Sequence, residues 1–389
     1  MFAPSRLQHS SELLSPSAAS PPPAVDLVPP RFWNCLQTRA VGNRSEATPR
    51  SVVESARWVA TPTPTRDGTL PGCSTSSAPV TYYKSLAHRA VLLEDLTLGC
   101  VTILFGRGRG RYPDANALLI TGSDETLLID ATLGVVARGR SALSRIDRVL
   151  LSHCHEDHTA ANFLLTDLPC YIHAADLPGL RNIDSMLNIY GFPEPDRSQL
   201  QGVLLNQFYF APRTDLLPLN GGEILQLGGG VSIHVLHSPG HTRGHCCFLV
   251  EPPGLLYLAD VDLTGFGPYY GDAWSSLIEF ENTFALLRQV HVPYYLTAHH
   301  IGLLEGYPSF LSKLAQYASR ISDRERRLPE FLHHPRSLDD VVAERFIYRP
   351  QDETRFINSI ERRSMSQHLE RLQESGIVQE ADARRFVAT

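Results

Sequence analysis

From about residue 90, short apolar runs alternate with polar turns, which is the pattern of an α/β protein. The runs are rich in β-branched residues, which favour strands. Between residues 276 and 290 the apolar side chains instead recur every three or four positions, which predicts a helix. Strands are predicted at 98–105, 117–120, 126–130, 149–152, 170–173, 231–236, 246–250, 255–259 and 294–297.

The N-terminal part of the chain has a different composition. Residues 1–80 hold 12 of the 28 prolines and 12 serines, so this segment cannot bury enough apolar surface to offset its chain entropy. We therefore expect a disordered tail over residues 1–88. The α/β pattern predicts one domain over 89–306, and from there the spacing becomes helical, which predicts a separate region over 307–389.

Composition and charge exclude several classes of protein. The 389 residues carry 35 Lys plus Arg and 41 Asp plus Glu, and the net charge of −6 disfavours a general nucleic-acid binder, which needs a basic surface. No run of about 18 apolar residues is present, so no membrane span is predicted. Seven irregularly spaced cysteines do not form a disulfide framework, and we expect a cytoplasmic protein. Three of them are interpreted as buried structural residues: Cys154, Cys246 and Cys247.

The sequence HCHEDH at 153–158 concentrates metal-ligand side chains directly after a predicted strand. Neutral imidazole and carboxylate suit Zn²⁺ or Fe²⁺. A loop at a strand end can aim alternate side chains at one point, so His153 and His155 can share a metal. Asp157 and His158 can then bind a second metal ion.

Three further candidate ligands follow at strand ends. His241 lies in a turn after the strand at 231–236, Asp260 closes the strand at 255–259, and His299 follows the last strand. Each of them alone has an ordinary structural explanation. Their order after the 153–158 cluster is what points to a shared metal centre.

These residues resemble the metallo-β-lactamase superfamily of metal-dependent hydrolases over about residues 95–305. The resemblance implies an αβ/βα four-layer sandwich with the metals at one edge of two sheets, and it makes 89–306 the catalytic domain. It also implies a structural role for Asp130. In the ligand set it implies, the first metal is bound by His153, His155 and His241, the second by Asp157, His158 and His299, and both are bridged by Asp260.

Two positions in this set are doubled. Asp262 is a rival to Asp260 as the bridging carboxylate, and His300 is a rival to His299. Asp260 is favoured because it lies where the strand ends, and the superfamily's order favours His299. Asp157 and the unligated His300 are then the candidate catalytic residues, the first to orient a hydroxide and the second to protonate a leaving group.

The resemblance therefore implies a hydrolase that uses a metal-bridged hydroxide to cleave a small ester, thioester or lactone. Two Zn²⁺ ions are expected, with Fe²⁺ or Mn²⁺ as alternatives, and a small molecule is the expected substrate. One alternative is an endoribonuclease acting on single-stranded RNA. Another is a mononuclear iron persulfide dioxygenase, because that branch carries a similar His-x-His and Asp-His pattern.

Helical spacing in 307–389 predicts helices at 310–321 and 324–332, another beginning at Ser337, and a last one that ends at Gly376. The order resembles the winged-helix-like tail of some proteins of the superfamily, including certain endoribonucleases. Residues 320–389 contain 13 Arg and 13 acidic residues. This balance of charge gives little support for binding of nucleic-acid phosphates by the region. A structural cap or a homo-oligomer contact is the favoured interpretation.

Three other segments bear on the substrate. Arg107, Arg109 and Arg111 are interpreted as a solvated hairpin tip in preference to an anion grip. The aromatic segment 180–219 is expected to be an insertion that shapes specificity. The loop 265–272, which contains two tyrosines, is expected to overhang the metals.

Overall fold

The computed structural model describes residues 94–143, 145–353, 355–382 and 384–389. The segment 1–88, expected to be disordered, lies outside the described residues. Within the part described, no helix has both the length and the apolar character that a bilayer span requires.

The first sheet has seven strands whose spatial order equals their chain order. Its first four strands pair antiparallel and the remaining ones pair parallel. The predicted strand at 98–105 is found as a strand over 101–104, but its start is wrong, because Gly99 has a φ of +61° and turns the chain into a hairpin with an earlier strand. The strands are β1 Leu96–Leu98, β2 Val101–Leu104, β3 Ala117–Thr121, β4 Thr126–Ile129, β5 Arg148–Leu151, β6 Cys170–His173 and β7 Leu217–Leu219.

The second sheet has six strands: β8 Ile224–Gly228, β9 Val231–His237, β10 Cys246–Glu251, β11 Leu255–Ala259, β12 Tyr294–Thr297 and β13 Leu303–Glu305. Their spatial order is β13-β12-β11-β10-β9-β8. Only the pair β11 and β12 is parallel, and a helix connects its two strands. The helices of this part of the chain are the single turn α1 Arg107–Gly110, α2 Leu133–Arg138, α3 Glu156–Thr159, α4 Ile183–Tyr190, α5 Asp196–Asn206 and the connecting α6 Leu277–Leu287.

The two sheets pack face to face, and helices cover both outer faces. Strand β11 shows how the pleat divides the core: Leu255 and Tyr257 point into the space between the sheets, whereas Leu256 and Leu258 face the helices. The outer face of the first sheet is covered by α2, α4 and α5, for example by Met186. The predicted αβ/βα four-layer sandwich is confirmed.

The last part of the chain contains α7 Tyr307–Phe331, α8 Leu338–Glu344, α9 Ile357–Glu374 and a small sheet of β14 Arg336–Ser337, β16 Arg385–Ala388 and β15 Val378–Asp382. The prediction of two helices at 310–321 and 324–332 is wrong, since α7 is continuous. Its buried face includes Ile321, Arg324 and Leu328. The charged Arg324 interrupts the apolar spacing in the sequence, but in the structure it occupies a buried position of the same helix face. The domain limits stay a prediction, because α7 packs on the second sheet with its first half and enters a separate core near Leu328 with its second half.

Hydrogen bonds join the two sheets at the edge where the candidate ligands lie. The Cys246 N–H donates to Ser152 O (2.9 Å), and the Asn116 N–H donates to Ala298 O (2.9 Å). The strands β4, β5, β11 and β12 all end at this edge. The loops that follow them are therefore held close together.

The contact between the sheets at Gly122 provides a test of this packing. Gly122→Ala is expected to lower the free energy of unfolding by about 1–3 kcal/mol, because a Cβ there would lie 1.9 Å from Leu227 O on the facing sheet. Gly202 is the matched control: it lies inside α5, and apart from its own helix backbone nothing lies within 4 Å of the added Cβ, so Gly202→Ala should raise stability by about 0.5–1 kcal/mol. Urea unfolding measures both, and effects of equal sign would contradict the packing described.

Candidate metal centre

The 153–158 loop is held by the fully buried carboxylate of Asp130, at the end of β4. Asp130 accepts hydrogen bonds from the Ser152 N–H (2.7 Å) and hydroxyl (2.8 Å), and from the Tyr257 hydroxyl (2.7 Å). Its Oδ2 also lies 2.8 Å from His158 Nδ1. Asp130 thus organises the loop from outside, as the sequence interpretation expected.

Four of the predicted residues form a first group at the sheet edge: His153, His155, His241 and Asp260, all buried, with ligand atoms within 4.8 Å of one another. His155 Nδ1 lies 2.9 Å from His241 Nε2. Asp260 Oδ2 lies 3.1 Å from His241 Nε2 and 3.9 Å from His153 Nε2. Both ring nitrogens are thus close enough together to reach a common cation.

A second group contains Asp157, His158 and His299. His299 Nε2 lies 3.2 Å from Asp157 Oδ2. Asp260 Oδ1 is 2.9 Å from His158 Nε2 and 3.5 Å from His299 Nε2, so the carboxylate of Asp260 faces one group with each oxygen. Burial alone would raise the pKa of Asp260, but the surrounding imidazoles hold it well below its ordinary value.

Asp260 and Asp262 have different surroundings in the structure, and so do His299 and His300. Asp262 shares a possible ligand group with Asp260 and His299, whereas Asp260 contacts imidazoles of both groups described above. Burial raises the pKa of Asp262 to about 7, with His299 opposing the rise and Asp260 adding to it. His300 is exposed, has a φ of +56° and lies on the wall of the adjacent cavity, outside both ligand groups.

Each candidate imidazole is oriented by a contact to its other ring nitrogen. Such outer contacts fix the tautomer and aim the remaining nitrogen at a metal. The contacts are His153 Nδ1 to Ser152 Oγ (3.0 Å), His158 Nδ1 to Asp130 Oδ2 (2.8 Å), His241 Nδ1 to Tyr269 O (3.2 Å), His299 Nδ1 to Gly110 O (2.7 Å) and His155 Nε2 to Asp272 Oδ2 (3.0 Å).

Asp272 is the site residue that the sequence reasoning missed. It is fully buried, and the Tyr269 hydroxyl donates to its Oδ1 (2.9 Å). Burial lowers the pKa of His155, but contact with Asp272 outweighs this effect and raises the pKa to about 9. The only signal in the sequence was an acidic residue closing the loop 265–272, because the approach to His155 depends on the tertiary fold.

The chemistry of this edge fits divalent metal ions. Within the described residues, His153 Nε2, His158 Nε2 and Asp260 Oδ1 are buried and form no hydrogen bond of normal geometry, although the last two atoms lie 2.9 Å apart. An unsatisfied buried polar atom costs about 1–3 kcal/mol, and imidazole with carboxylate is a ligand set for divalent cations. The site is therefore a divalent metal-binding site.

The cysteines near this site lie outside it, as expected. Cys154 belongs to the core between the first sheet and its helices. Cys246 packs between the sheets, and Cys247 packs under α6 and α7. All three are fully buried.

A cavity of about 620 Å³ opens above the two ligand groups. The hydroxyls of Tyr112 (3.0 Å) and Tyr190 donate to the carboxylate of Glu156, which ties the cavity wall to the 153–158 loop. The segment 180–219 supplies much of the wall, and so does the last part of the chain. The apolar and aromatic lining consists of Tyr112, Pro113, Tyr190, Phe192, Leu200, Val203, Phe266, Tyr269, Tyr348, Phe356 and Ile360.

Of the two tyrosines in the loop 265–272, only Tyr269 lines the cavity. Tyr270 is buried against the last part of the chain: its hydroxyl lies 2.8 Å from His368 Nε2 and accepts a hydrogen bond from Arg324 (2.7 Å). This loop therefore joins the metal centre to α7 and α9.

Comparison with known proteins agrees with this geometry. Residues 112–299 match the family model described as the metallo-beta-lactamase superfamily. In solved structures the fold is shared with a metallo-beta-lactamase family protein from Thermus thermophilus, with a TM-score of 0.58 and 22% identity over 75% of this chain and 99% of that one. A beta-lactamase domain protein from Burkholderia ambifaria gives a TM-score of 0.54 and 16% identity over 78% of this chain and 96% of that one.

Similar curated sequences include two thioesterases. The lactamase-like protein ptaB of Pestalotiopsis fici is 23% identical over 59% of this chain and 63% of its own length. The atrochrysone carboxyl ACP thioesterase of Emericella nidulans is 22% identical over 62% and 66%, respectively. The acyl-coenzyme A thioesterase MBLAC2 of Bos taurus is 26% identical over 39% and 59%. The chain thus spans less than two thirds of each of these relatives.

The contact between Asp272 and His155 makes a prediction about metal affinity. Asp272→Asn should weaken binding of the metal by about 10–100-fold, because the ring of His155 loses the carboxylate that orients it. Titration of the metal-free protein against a competing chelator measures the affinity. Asp167→Asn is the control, since the Asp167 side chain is 68% exposed and pairs with Arg140; equal affinities in the two variants would contradict the role of Asp272.

Proposed function

Residues 112–299 make this chain a member of the metallo-β-lactamase superfamily, and we propose that it is a metal-dependent hydrolase of thioesters with an apolar acyl group. The observation that carries the proposal is the position of the two ligand groups at the base of a mainly apolar cavity of about 620 Å³. The two similar proteins named as thioesterases support the choice of a thioester over an oxygen ester or a lactone.

We propose that the site takes two Zn²⁺ ions. His153, His155 and His241 would hold one, Asp157, His158 and His299 would hold the other, and Asp260 would bridge them. When bound, such ions polarise a carbonyl and lower the pKa of a water molecule towards 7.

The side chains of the chain then have separate tasks. The buried carboxylate of Asp157 lies 3.2 Å from His299 Nε2 and is assigned to orient a water molecule. The aromatic wall binds the acyl group and excludes bulk water, which strengthens electrostatic interactions in the cavity. His300 is proposed to donate a proton from its imidazole to the leaving group.

A thioester suits this arrangement chemically. A thiol has a pKa near 8.5, so its sulfur leaves as an anion with little help from a proton donor. The buried Cys154, Cys246 and Cys247 are packed within the cores. The proposed reaction accordingly uses water and no side-chain nucleophile.

Metal content and turnover test this proposal together. The purified protein is expected to contain about two zinc ions per chain and to hydrolyse an octanoyl thioester faster than a lactone or a phosphodiester. Removal of the metal with a chelator should abolish hydrolysis, and Zn²⁺ should restore it. Hydrolysis that persists in the metal-free protein would contradict the proposal.

Substitution of Asp157 tests the site itself. Asp157→Ala is expected to lower kcat by about 10²–10⁴-fold, because the reaction loses the group that positions water. Asp184→Ala is the control, since the Asp184 side chain is 81% exposed on α4. Full turnover in Asp157→Ala would show that the assigned chemistry is wrong.

The endoribonuclease and the iron persulfide dioxygenase remain alternatives that the same protein preparation distinguishes. Cleavage of single-stranded RNA without thioester hydrolysis would favour the first. One iron per chain together with oxygen consumption would favour the second. The cytoplasmic location and the homo-oligomer also stay predictions.

A further inference from the structure

The mouth of the cavity carries a positive charge that the proposed hydrolysis does not use. Arg355 lines the cavity and is exposed to solvent. Neighbouring arginines of the tail are engaged, Arg349 with Asp352 (3.0 Å) and Arg362 with Asp339. Among the residues that the structure describes, no carboxylate oxygen lies within 4.0 Å of the Arg355 guanidinium.

The segment that carries Arg355 is apolar where it faces the interior. Phe356 follows directly in the left-handed conformation (φ +63°) and packs on Phe192, with 5.5 Å between ring centroids. Ile360, one turn further along α9, is buried and lines the same cavity. This part of the tail therefore combines an apolar wall inside with a cation at the entrance.

A second exposed arginine lies beside the cavity in the chain. Tyr112 lines the cavity, and the exposed Arg111 precedes it in the chain. Arg111 is therefore a second cation next to a residue of the cavity wall.

We propose that Arg355, assisted by Arg111, binds the phosphate of a phosphorylated thiol carrier, so that the substrates are acyl thioesters of phosphopantetheine. The inference rests on the proposed thioester hydrolysis. Guanidinium groups bind phosphate through two parallel hydrogen bonds, and the apolar cavity receives the acyl chain. Coenzyme A and acyl carrier proteins both present the thiol on this phosphorylated arm.

Substrates that differ by one phosphate test the proposal. Octanoyl-pantetheine and octanoyl-4′-phosphopantetheine are compared in steady-state hydrolysis, together with octanoyl-coenzyme A and an octanoyl carrier protein. The zinc-loaded full chain is used as wild type, Arg355→Gln, Arg355→Lys and Arg326→Gln. Arg326 is the matched control, because it is an arginine of α7 with a side chain 67% exposed that pairs with Asp323.

The wild type is expected to show a lower KM for the phosphorylated thioester than for the neutral one. The measured quantity is the ratio of the KM for octanoyl-pantetheine to the KM for octanoyl-4′-phosphopantetheine. Arg355→Gln should reduce this ratio by about 10-fold. Arg355→Lys should have an intermediate effect, and Arg326→Gln should keep the wild-type ratio. Added salt should shrink the ratio, because the guanidinium is exposed. Octanoyl-coenzyme A and the octanoyl carrier protein are compared in the same way, and the one with the lower KM identifies the preferred carrier of the phosphopantetheine arm.

An unchanged KM ratio in Arg355→Gln would overturn the inference. An equal increase in KM for the neutral thioester would also overturn it, because it would show a disturbed apolar wall. These outcomes leave thioester hydrolysis intact. Failure of the wild type to hydrolyse any of the four thioesters would instead refute the proposed function on which the inference rests.

Discussion

The structure depends on the burial of many ionisable side chains at one edge of a sandwich. His153, His158 and Asp260 are nearly or fully excluded from solvent and keep ligand atoms that no hydrogen bond satisfies among the residues described. Charged groups in such a place are costly unless a counter-charge compensates them. Cations bound between these groups would compensate that cost, and the rest of the fold supports these atoms in position.

The support comes from contacts outside the ligand groups. Asp130 holds His158 and the start of the loop, Ser152 contacts His153, and Asp272 orients His155. These partners belong to different strands and loops, so the ligand positions are determined only when both sheets have packed. Hydrogen bonds between the sheets at the same edge, such as that from Cys246 to Ser152, add to this rigidity.

The sequence predicted what depends on local pattern. Nine strands followed from apolar runs rich in β-branched residues, and the 153–158 cluster followed from residue types at a strand end. The edge strands β1, β7, β8 and β13 were not predicted. Asp272 escaped prediction because an isolated acid in a loop has no periodicity, and its approach to His155 arises only in the folded chain. The continuity of α7 escaped for another reason: Arg324 is buried on the apolar face, where it donates to Pro268 O (3.2 Å) and Phe266 O (2.8 Å).

The equal numbers of arginines and acidic residues in the tail are explained by the contacts that several of its arginines make within the protein. Several of its arginines point inward: Arg324 binds main-chain oxygens of the loop 265–272, Arg363 donates to Asp272 O (3.2 Å), and Arg371 pairs with Glu281 (2.7 Å) and with Glu325. Guanidinium groups committed in this way are not available to a nucleic-acid backbone. Because the same loop carries Tyr269 and Asp272, the tail supports the wall of the cavity and the orientation of a metal ligand through one set of contacts.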